Sequence, residues 1–468
     1  MPPTPVIAIL DVGKTNKKLF LFDELYNIVW EDSRMLPETK DEDGDPCEDL
    51  DLLNAWINEI LIEAKKTGDL EIRAINFSAY GASFVHIGSE GKPLTPLYNY
   101  LKPYPERIKK QFYDQYGGEL TFSMLTASPV LDSLNSGMQL YRIKNEKPDL
   151  FARIKYSLHL PQYLAWLMTG KANSDITSIG CHTNLWNFSQ DYYHEWVYRE
   201  GIIDKLPPIQ SSGTVHPLIP QVNYRNLVSL LPDCLAGIGL HDSSAAIIPY
   251  LESFMEPFVL ISTGTWCISL NPFNPDPLTI AELQNDCLCY LTFKGRPMKA
   301  SRLFAGYEHE HQVERLSEYF QKDKSHYHKV FFDPGIVERL KAENGQAVFN
   351  HPVSMVSASV YAQRDLSSFK SFEEAYHRLL MDIMDQQLKS TKLVLQENVV
   401  KRIFVDGGFS RNPIYMHLLA AAFPTVEVFA ANIAQASAMG AAMAIHDHWN
   451  THPLPTDIIE LKYYKENY

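Results

Sequence analysis

The sequence lacks most of what would carry a chain into a membrane, a disulfide scaffold or a nucleic-acid complex. No run approaches the ~20 uninterrupted apolar residues of a membrane span. Val6-Ile7-Ala8-Ile9-Leu10 is too short for the core of a signal peptide and runs straight into Asp11, so no signal peptide is expected. Cysteines number only six, at 47, 181, 234, 267, 287 and 289. The one close pair, Cys287-x-Cys289, is neither a zinc knuckle nor a thioredoxin motif. Reduced, mostly buried thiols in a cytoplasmic protein are the expectation. Positive charge is also in deficit: 42 Lys and Arg stand against 56 Asp and Glu, for a net charge of −14. That argues against nucleic acid or an anionic membrane as partner. It leaves open a small phosphate ligand, which backbone amides can bind inside an acidic protein.

What is present is the balance of an ordinary soluble globular protein. The chain has 468 residues, 45% apolar and 21% charged, enough for about two to four structural units. It opens with a buried strand, Val6–Leu10, a polar turn, Asp11–Asn16, and a returning strand, Leu19–Phe22. The acidic stretch Asp41–Asp51 looks like a calcium loop. However, Pro46 replaces the required glycine and Leu52 the bidentate glutamate, so a solvated loop is expected. Leu53, Trp56, Ile57, Ile60 and Leu61 give helical spacing over Leu52–Ala64. Ile72–Phe77 and Phe84–Ile87 read as strands around Ser78–Ser83. Residues 100–130 read as irregular, and 135–145 and 161–169 as helices. The proline-bearing stretch 207–222 precedes an inter-domain passage at 225–240.

The second half repeats the opening. Phe258–Ser262 reads as a strand, Thr263-Gly264-Thr265 as the turn and Trp266–Leu270 as the return. Gly13 and Gly264 stand 251 residues apart at equivalent points, a weak internal duplication. A helix over 368–397, a strand Arg402–Val405, the turn Asp406-Gly407-Gly408, a helix from Pro413, a strand Val426–Ala430 and a small-residue helix Gln435–His446 complete the chain.

Gly13-Lys14-Thr15 is not a P-loop. Ala8 stands where that motif needs glycine, and a strand rather than a helix follows. Small-residue turns can still bind phosphate through successive amides, and two matched turns could grip a polyphosphate. Asp11, at its strand end, could hold Mg2+. Gly407-Gly408 lets a flat ligand lie against the backbone. Asp242, where a loop meets a small-residue helix, reads either as an N-cap or as a general base for phosphoryl transfer. Tyr307-Glu-His-Glu-His-Gln312 lacks metal-site spacing, and His326, His328, His446 and His448 read as surface histidines.

Four segments in order, Ile9-Leu-Asp-Val-Gly-Lys-Thr-Asn16, Gly239-Leu-His-Asp242, Ser262-Thr-Gly-Thr-Trp266 and Asp406-Gly-Gly-Phe-Ser-Arg-Asn412, resemble the FGGY family of carbohydrate kinases. The likeness covers nearly the whole chain. Asp11-x-Gly-x-Thr-Asn16, the His241-Asp242 pair, Tyr80-Gly81-x-x-Phe84, His159-Leu-Pro-x-Tyr163 and Asp175-x-Thr177 are similar to the fuculokinase and rhamnulokinase branch. Lys14, Ala82-Ser83 and Ser78-Ala-Tyr80 depart from it, which leaves the sugar open.

The resemblance implies an α/β protein of two actin-like (ribonuclease H-like) domains with a ligand cleft between them. The first domain would span 1–235 on the sugar side, the second 236–468 on the nucleotide side. It implies an ATP-dependent kinase that moves the γ-phosphate to a ketose hydroxyl, with Mg2+. The ketose would be a 6-deoxy sugar such as L-fuculose or L-rhamnulose. In that reading Asp242 is the catalytic base and Asp11 and Asp242 serve the metal. Gly13, Lys14, Thr15, Asn16, Thr263, Gly264 and Thr265 cradle the phosphates. Gly407, Gly408, Asn412 and Gln312 border the adenosine. Gly81, His241, Asp242 and Ser243 meet the sugar. A pentulose or polyol kinase of the same family, and a sugar or nucleotide sensor without catalysis, are the alternatives. The partner would be a small sugar rather than nucleic acid or membrane, and a homodimer is left open.

Overall fold

The computed structural model describes residues 3–219, 224–343, 359–396 and 399–465. The last residues of the 207–222 stretch and residue 397 of the expected long helix lie outside them. Two units partition the chain. The first holds Met1–Phe254, Cys289–Pro297 and Ala434–Ile458, and the second holds the rest. Strand Cys287–Leu291 carries the chain from the second unit into the first.

The first unit is built on strand Thr4–Val12, whose residues Val6 to Leu10 are wholly buried. Such a continuous apolar run suits a strand covered on both faces. It pairs antiparallel with Lys17–Asp23, which pairs antiparallel with Ile28–Arg34. On its other side it pairs parallel with Leu70–Ala79, followed by Leu235–Gly237 and Val215–Pro217. Leu240–His241 also pairs parallel with Leu70–Ala79. Register then brings distant segments level: Asp11 lies opposite Ser78, and Ser78 opposite Leu240. Asp242 follows directly.

Helix Leu50–Lys66 covers this sheet with Leu53, Trp56, Ile57, Ile60, Leu61 and Ala64. Its N-terminus is capped by the Asp49 carboxylate, which accepts from Leu52 N–H at 3.0 Å. Helix Ala436–Ala444 belongs to the same unit, though it lies near the far end of the chain. Small residues let it approach helix Asp242–Ala246 closely, and a Cβ on Gly440 would sit 1.9 Å from the Ala245 carbonyl oxygen. Buried Asn76 ties these parts together. Its Nδ2 donates to Ala441 O at 2.7 Å and its Oδ1 accepts from Gly239 N–H at 3.1 Å. Gly239 has φ +81°, with no room for a Cβ against Pro161, so only glycine fits.

The second unit repeats the order. Strand Phe258–Thr263 pairs antiparallel with Cys267–Asn271, which pairs antiparallel with Pro297–Leu303. On its other side it pairs parallel with Arg402–Gly407, then Glu427–Asn432, with Glu460–Tyr464 antiparallel at the edge. The long helix Phe372–Val394 covers the sheet. Its Thr391 and Gln387 bond the Ser269 hydroxyl of strand Cys267–Asn271. The duplication read from Gly13 and Gly264 is therefore a repeat of the whole strand–turn–strand sheet pattern.

Three expectations fail. Residues 100–130 contain helices Glu106–Gln115 and Glu119–Thr126. In the first of them the buried apolar residues are only Ile108, Phe112 and Tyr113, but Phe112 anchors an aromatic cluster with Phe122, Tyr141 and Trp196. The acidic loop is not simply solvated. Asp41 is buried, and the Lys102 ammonium sits among the carboxylates of Asp41, Asp43 and Asp45 at 2.5, 2.8 and 3.0 Å. His446 is buried rather than exposed, bonded to Tyr26 Oη at 2.8 Å and His452 O at 2.9 Å. Among the described residues no helix is long and apolar enough to cross a membrane.

Candidate active site

In the first unit the parallel strand ends gather Asp11, Gly81, His241, Asp242 and Ser243. Asp242 opens the short helix Asp242–Ala246 and accepts from the Ser243 N–H at 2.6 Å and its hydroxyl at 3.3 Å. Its side chain is recessed but 33% exposed, so a ligand can reach it. Burial pushes its pKa up to about 6, against the bonds from Ser243. Asp11 is likewise pushed up to about 6 by burial, with the charge of Asp242 adding to it. Its Oδ2 accepts from Ser437 Oγ at 3.0 Å, in the first turn of helix Ala436–Ala444. Two recessed carboxylates, each costly to ionise and with the charge of Asp242 bearing on Asp11, suit a hard divalent cation, whose charge would relieve both.

His241 is buried, and that burial pulls its pKa down to about 4. Its Nε2 lies 3.2 Å from Asp242 Oδ1, and its backbone N–H donates to Thr177 Oγ1 at 3.0 Å. Gly81 packs flat on this ring: a Cβ there would lie 2.9 Å from His241 Cδ2 and 3.3 Å from Cys181 Sγ. The next residue, Ala82, is held at φ +65°, with its carbonyl accepting from Gln139 at 2.7 Å. A non-glycine residue in that region marks a spot the surroundings hold in place.

The turn after Asp11 is closed by Gly13 N–H on Asn16 O at 3.0 Å. Gly13 and Lys14 are half-buried, and Thr15 and Asn16 are exposed. The Lys14 ammonium reaches Glu38 at 2.5 Å and Glu48 at 3.5 Å. Lys17, which the sequence did not single out, is fully buried. It donates to Lys14 O at 3.0 Å and pairs with buried Glu48 at 2.9 Å, pinning the turn from behind.

The second unit contains a cavity of about 720 Å3 whose lining includes Thr263, Gly264, Thr265, Gly408, Phe409 and Asn412. Register sets Thr263 beside Gly407. The Thr263 hydroxyl donates to Asp406 O at 2.5 Å and accepts from Phe409 N–H at 3.0 Å. Gly407 holds φ +88°, where a Cβ would be 1.9 Å from Thr263 O. Asn412 Oδ1 caps helix Pro413–Ala422 by accepting from Ile414 and Tyr415 N–H, and its Nδ2 donates to Tyr376 Oη at 2.6 Å. Tyr376 Oη also meets Nε2 of His309, a wall of the cavity, at 2.9 Å. Gln312 is buried and does not line the cavity. Its amide faces Ser359 at 3.4 Å and Arg315 at 3.3 Å. His309, Ser437 and Lys17 carry no local motif, so their places at the site appear only once the strands are in register.

Residues 6–248 match the model for the FGGY family of carbohydrate kinases, N-terminal domain, and residues 255–453 that for carbohydrate kinase FGGY, C-terminal domain. The chain belongs to the FGGY family of carbohydrate kinases. Among curated relatives, a rhamnulokinase from Halalkalibacterium halodurans is 24% identical over 273 residues, 55% of this chain and 52% of that protein. A second, from Oceanobacillus iheyensis, is 24% identical over 47% of this chain and 46% of its own length. The matches thus span about half the length of these relatives. Among solved structures, a carbohydrate kinase from Novosphingobium aromaticivorans shares the fold with a TM-score of 0.80 at 24% identity, covering 99% of this chain and 94% of that one. A ligand-bound xylulose kinase from Lactobacillus acidophilus gives 0.78 at 18% identity, with the same coverage.

Proposed function

We propose that this FGGY protein is an ATP-dependent sugar kinase acting on a ketose, with a 6-deoxy-ketose such as L-rhamnulose or L-fuculose as acceptor. The observation that carries the reading is Asp242: a recessed, reachable carboxylate with a pKa near 6, two residues beyond the level of Asp11 at the parallel strand ends. A base with that pKa is ionised at neutral pH and still accepts a proton well. The rhamnulokinase relatives support the acceptor class.

In this reading the sugar sits against Gly81, His241 and Ser243 in the first unit. Asp242 accepts the proton of the acceptor hydroxyl as its oxygen attacks the γ-phosphorus and ADP leaves. Asp11 and Asp242 would hold Mg2+, which supplies charge neutralisation for the phosphates. The backbone of Gly13–Asn16 and Thr263–Thr265 binds phosphate oxygens. The Lys14 ammonium, already committed to Glu38 and Glu48, is not needed for that. Gly407, Gly408 and Asn412 border the adenosine, Asn412 by shaping the wall with Tyr376. The six cysteines are buried and form no disulfide, which fits a cytoplasmic setting.

The test is ADP release with Mg-ATP over a panel of ketoses, aldoses, polyols and gluconate, with a no-sugar blank. Stimulation by L-rhamnulose or L-fuculose, abolished in Asp242→Ala while nucleotide binding persists, is expected. Stimulation by xylulose, ribulose or a polyol instead would keep the kinase and remove the 6-deoxy assignment. Unchanged turnover in Asp242→Ala would remove the base.

A further inference from the structure

Beside Asp242 stands a cluster of which the phosphotransfer reading uses only His241, as a wall for the sugar. Cys181, His182 and His241 are all buried, and their donor atoms lie within 4.8 Å of one another. We propose that these three side chains, with Asp242 as fourth ligand, form a tetrahedral site for a zinc-class divalent cation, distinct in chemistry from the Mg2+ of the reaction.

Hydrogen-bond accounting points to a cation. Ser244 donates its one hydroxyl proton to Leu291 O at 3.2 Å. Towards His241 it can then only accept, so His241 Nδ1 carries the proton across their 3.4 Å contact. That leaves an Nε2 lone pair facing Asp242 Oδ1 at 3.2 Å, two acceptors in contact. A positive centre between them resolves the clash. Ligands on a tetrahedral cation with bonds of about 2.0 Å stand about 3.3 Å apart, close to that separation.

His182 Nδ1 lies 3.1 Å from Leu134 O, a group that can only accept, so Nε2 is the coordinating nitrogen. Cys181 Sγ takes a hydrogen bond from the backbone N–H of Ala82, the residue held at φ +65°. Burial nevertheless holds that thiol's pKa up at about 12, and as the thiol it donates to Ser178 O at 3.2 Å, so the cation itself must displace the proton. The absent Cβ of Gly81 would fall 3.1 Å from His241 Nε2 and 3.3 Å from Cys181 Sγ, so glycine keeps open the ground between two of the donors.

Thiolate and imidazole donors select zinc or cobalt over magnesium. On binding, Cys181 releases its proton to solvent, and the metal–sulfur bond forms with no change of oxidation state. The donors draw together to reach tetrahedral spacing. A site that takes Asp242 as ligand also withdraws the base of the proposed reaction, so the loaded form would be inactive.

The test is a titration of the full-length, untagged protein with Co2+ as probe, read by absorption. One equivalent is expected, with the intense visible bands of a tetrahedral site and a thiolate-to-cobalt charge-transfer band. Zn2+ should displace it, and millimolar Mg2+ should not. Cys181→Ser should lose the charge-transfer band. His182→Gln should keep it and bind at least about tenfold more weakly. Absence of the charge-transfer band in the wild type, or its persistence in folded Cys181→Ser, overturns the site. Because the readout needs no catalysis, its failure is distinct from failure of the kinase reading.

Discussion

Gly306→Ala tests, through geometry, the phosphate role proposed for the second-unit turn Thr263–Thr265. Gly306 lies in the first turn of helix Ala305–Tyr319, and its Cα rests on the turn. A Cβ built there would be 1.8 Å from Gly264 O, 2.8 Å from Gly264 C and 3.0 Å from Thr265 O. Ordinary contact begins at 3.4 Å. All three atoms are backbone, so no side chain can swing aside. The turn must withdraw by about 1.6 Å, or the helix must shift by as much, at a cost of about 1–3 kcal/mol in stability. Misplacing reacting groups by about 1 Å costs roughly 100-fold in rate. The expected outcome is a loss of about 100-fold in kcat/KM for ATP in a protein that still melts cooperatively, with weaker binding of a fluorescent ATP analogue. Alanine is otherwise the better helix former, so helix propensity alone predicts a gain. Wild-type ATP affinity in folded Gly306→Ala would show that Thr263–Thr265 does not hold phosphate.

Asp242→Asn should lower turnover by about 100-fold or more and yet raise Tm. Its folded pKa of about 6 lies above the ordinary 3.8, so the ionised wild-type carboxylate costs stability once pH has risen through 6. The Tm gain should appear above pH ~7 and vanish below pH ~4, and a gain independent of pH would refute the burial argument. Lys17→Met strips buried Glu48 of one of its two lysines and frees Lys14 O, so it should cost about 3 kcal/mol in denaturant unfolding and raise KM for ATP. Lys102→Met empties the ammonium from among Asp41, Asp43 and Asp45, so its Tm should become calcium-dependent where the wild type's is not. An indifferent variant would mean that the carboxylates relax apart instead.

How much of this was legible in the sequence follows from the range of the interactions. A glycine at a strand end or an acid before a small-residue helix leaves a local trace, and Gly13, Asp242, Gly264 and Gly407 could be read directly. The hydrogen bond from Ser437 to Asp11 joins residues 426 positions apart, and no window in the sequence holds both. Lys17 looked like one of many lysines until Glu48, 31 positions on, came up behind the turn. Gln312 shows the opposite failure. Its residue type suits a nucleotide contact, but on helix Ala305–Tyr319 it falls with the buried Ala305, Val313 and Leu316, and its amide is taken by Arg315 and Ser359. His309, one turn earlier, reaches the cavity instead.

The duplication carries one more consequence. Each unit places a carboxylate and a hydroxyl side by side at the carboxyl ends of its two central parallel strands, but the pair is exchanged. In the first unit Asp11 is on the hairpin strand and Ser78 on its parallel neighbour. In the second, Ser262 is on the hairpin strand and Asp406 on the neighbour. The exchange alters what the adjoining turn can bind. Asp406 Oδ1 accepts from the Gly407 N–H at 2.7 Å, so part of its charge is spent on its own strand end. The turn at Thr263–Thr265 then follows a neutral serine and can face phosphate with backbone amides alone. Asp11 stands directly before its turn with a pKa near 6, so that turn suits an anion only when a cation accompanies it. One hairpin pattern, used twice, thus yields two turns of different appetite, a division of labour set by which of two adjacent strands carries the acid.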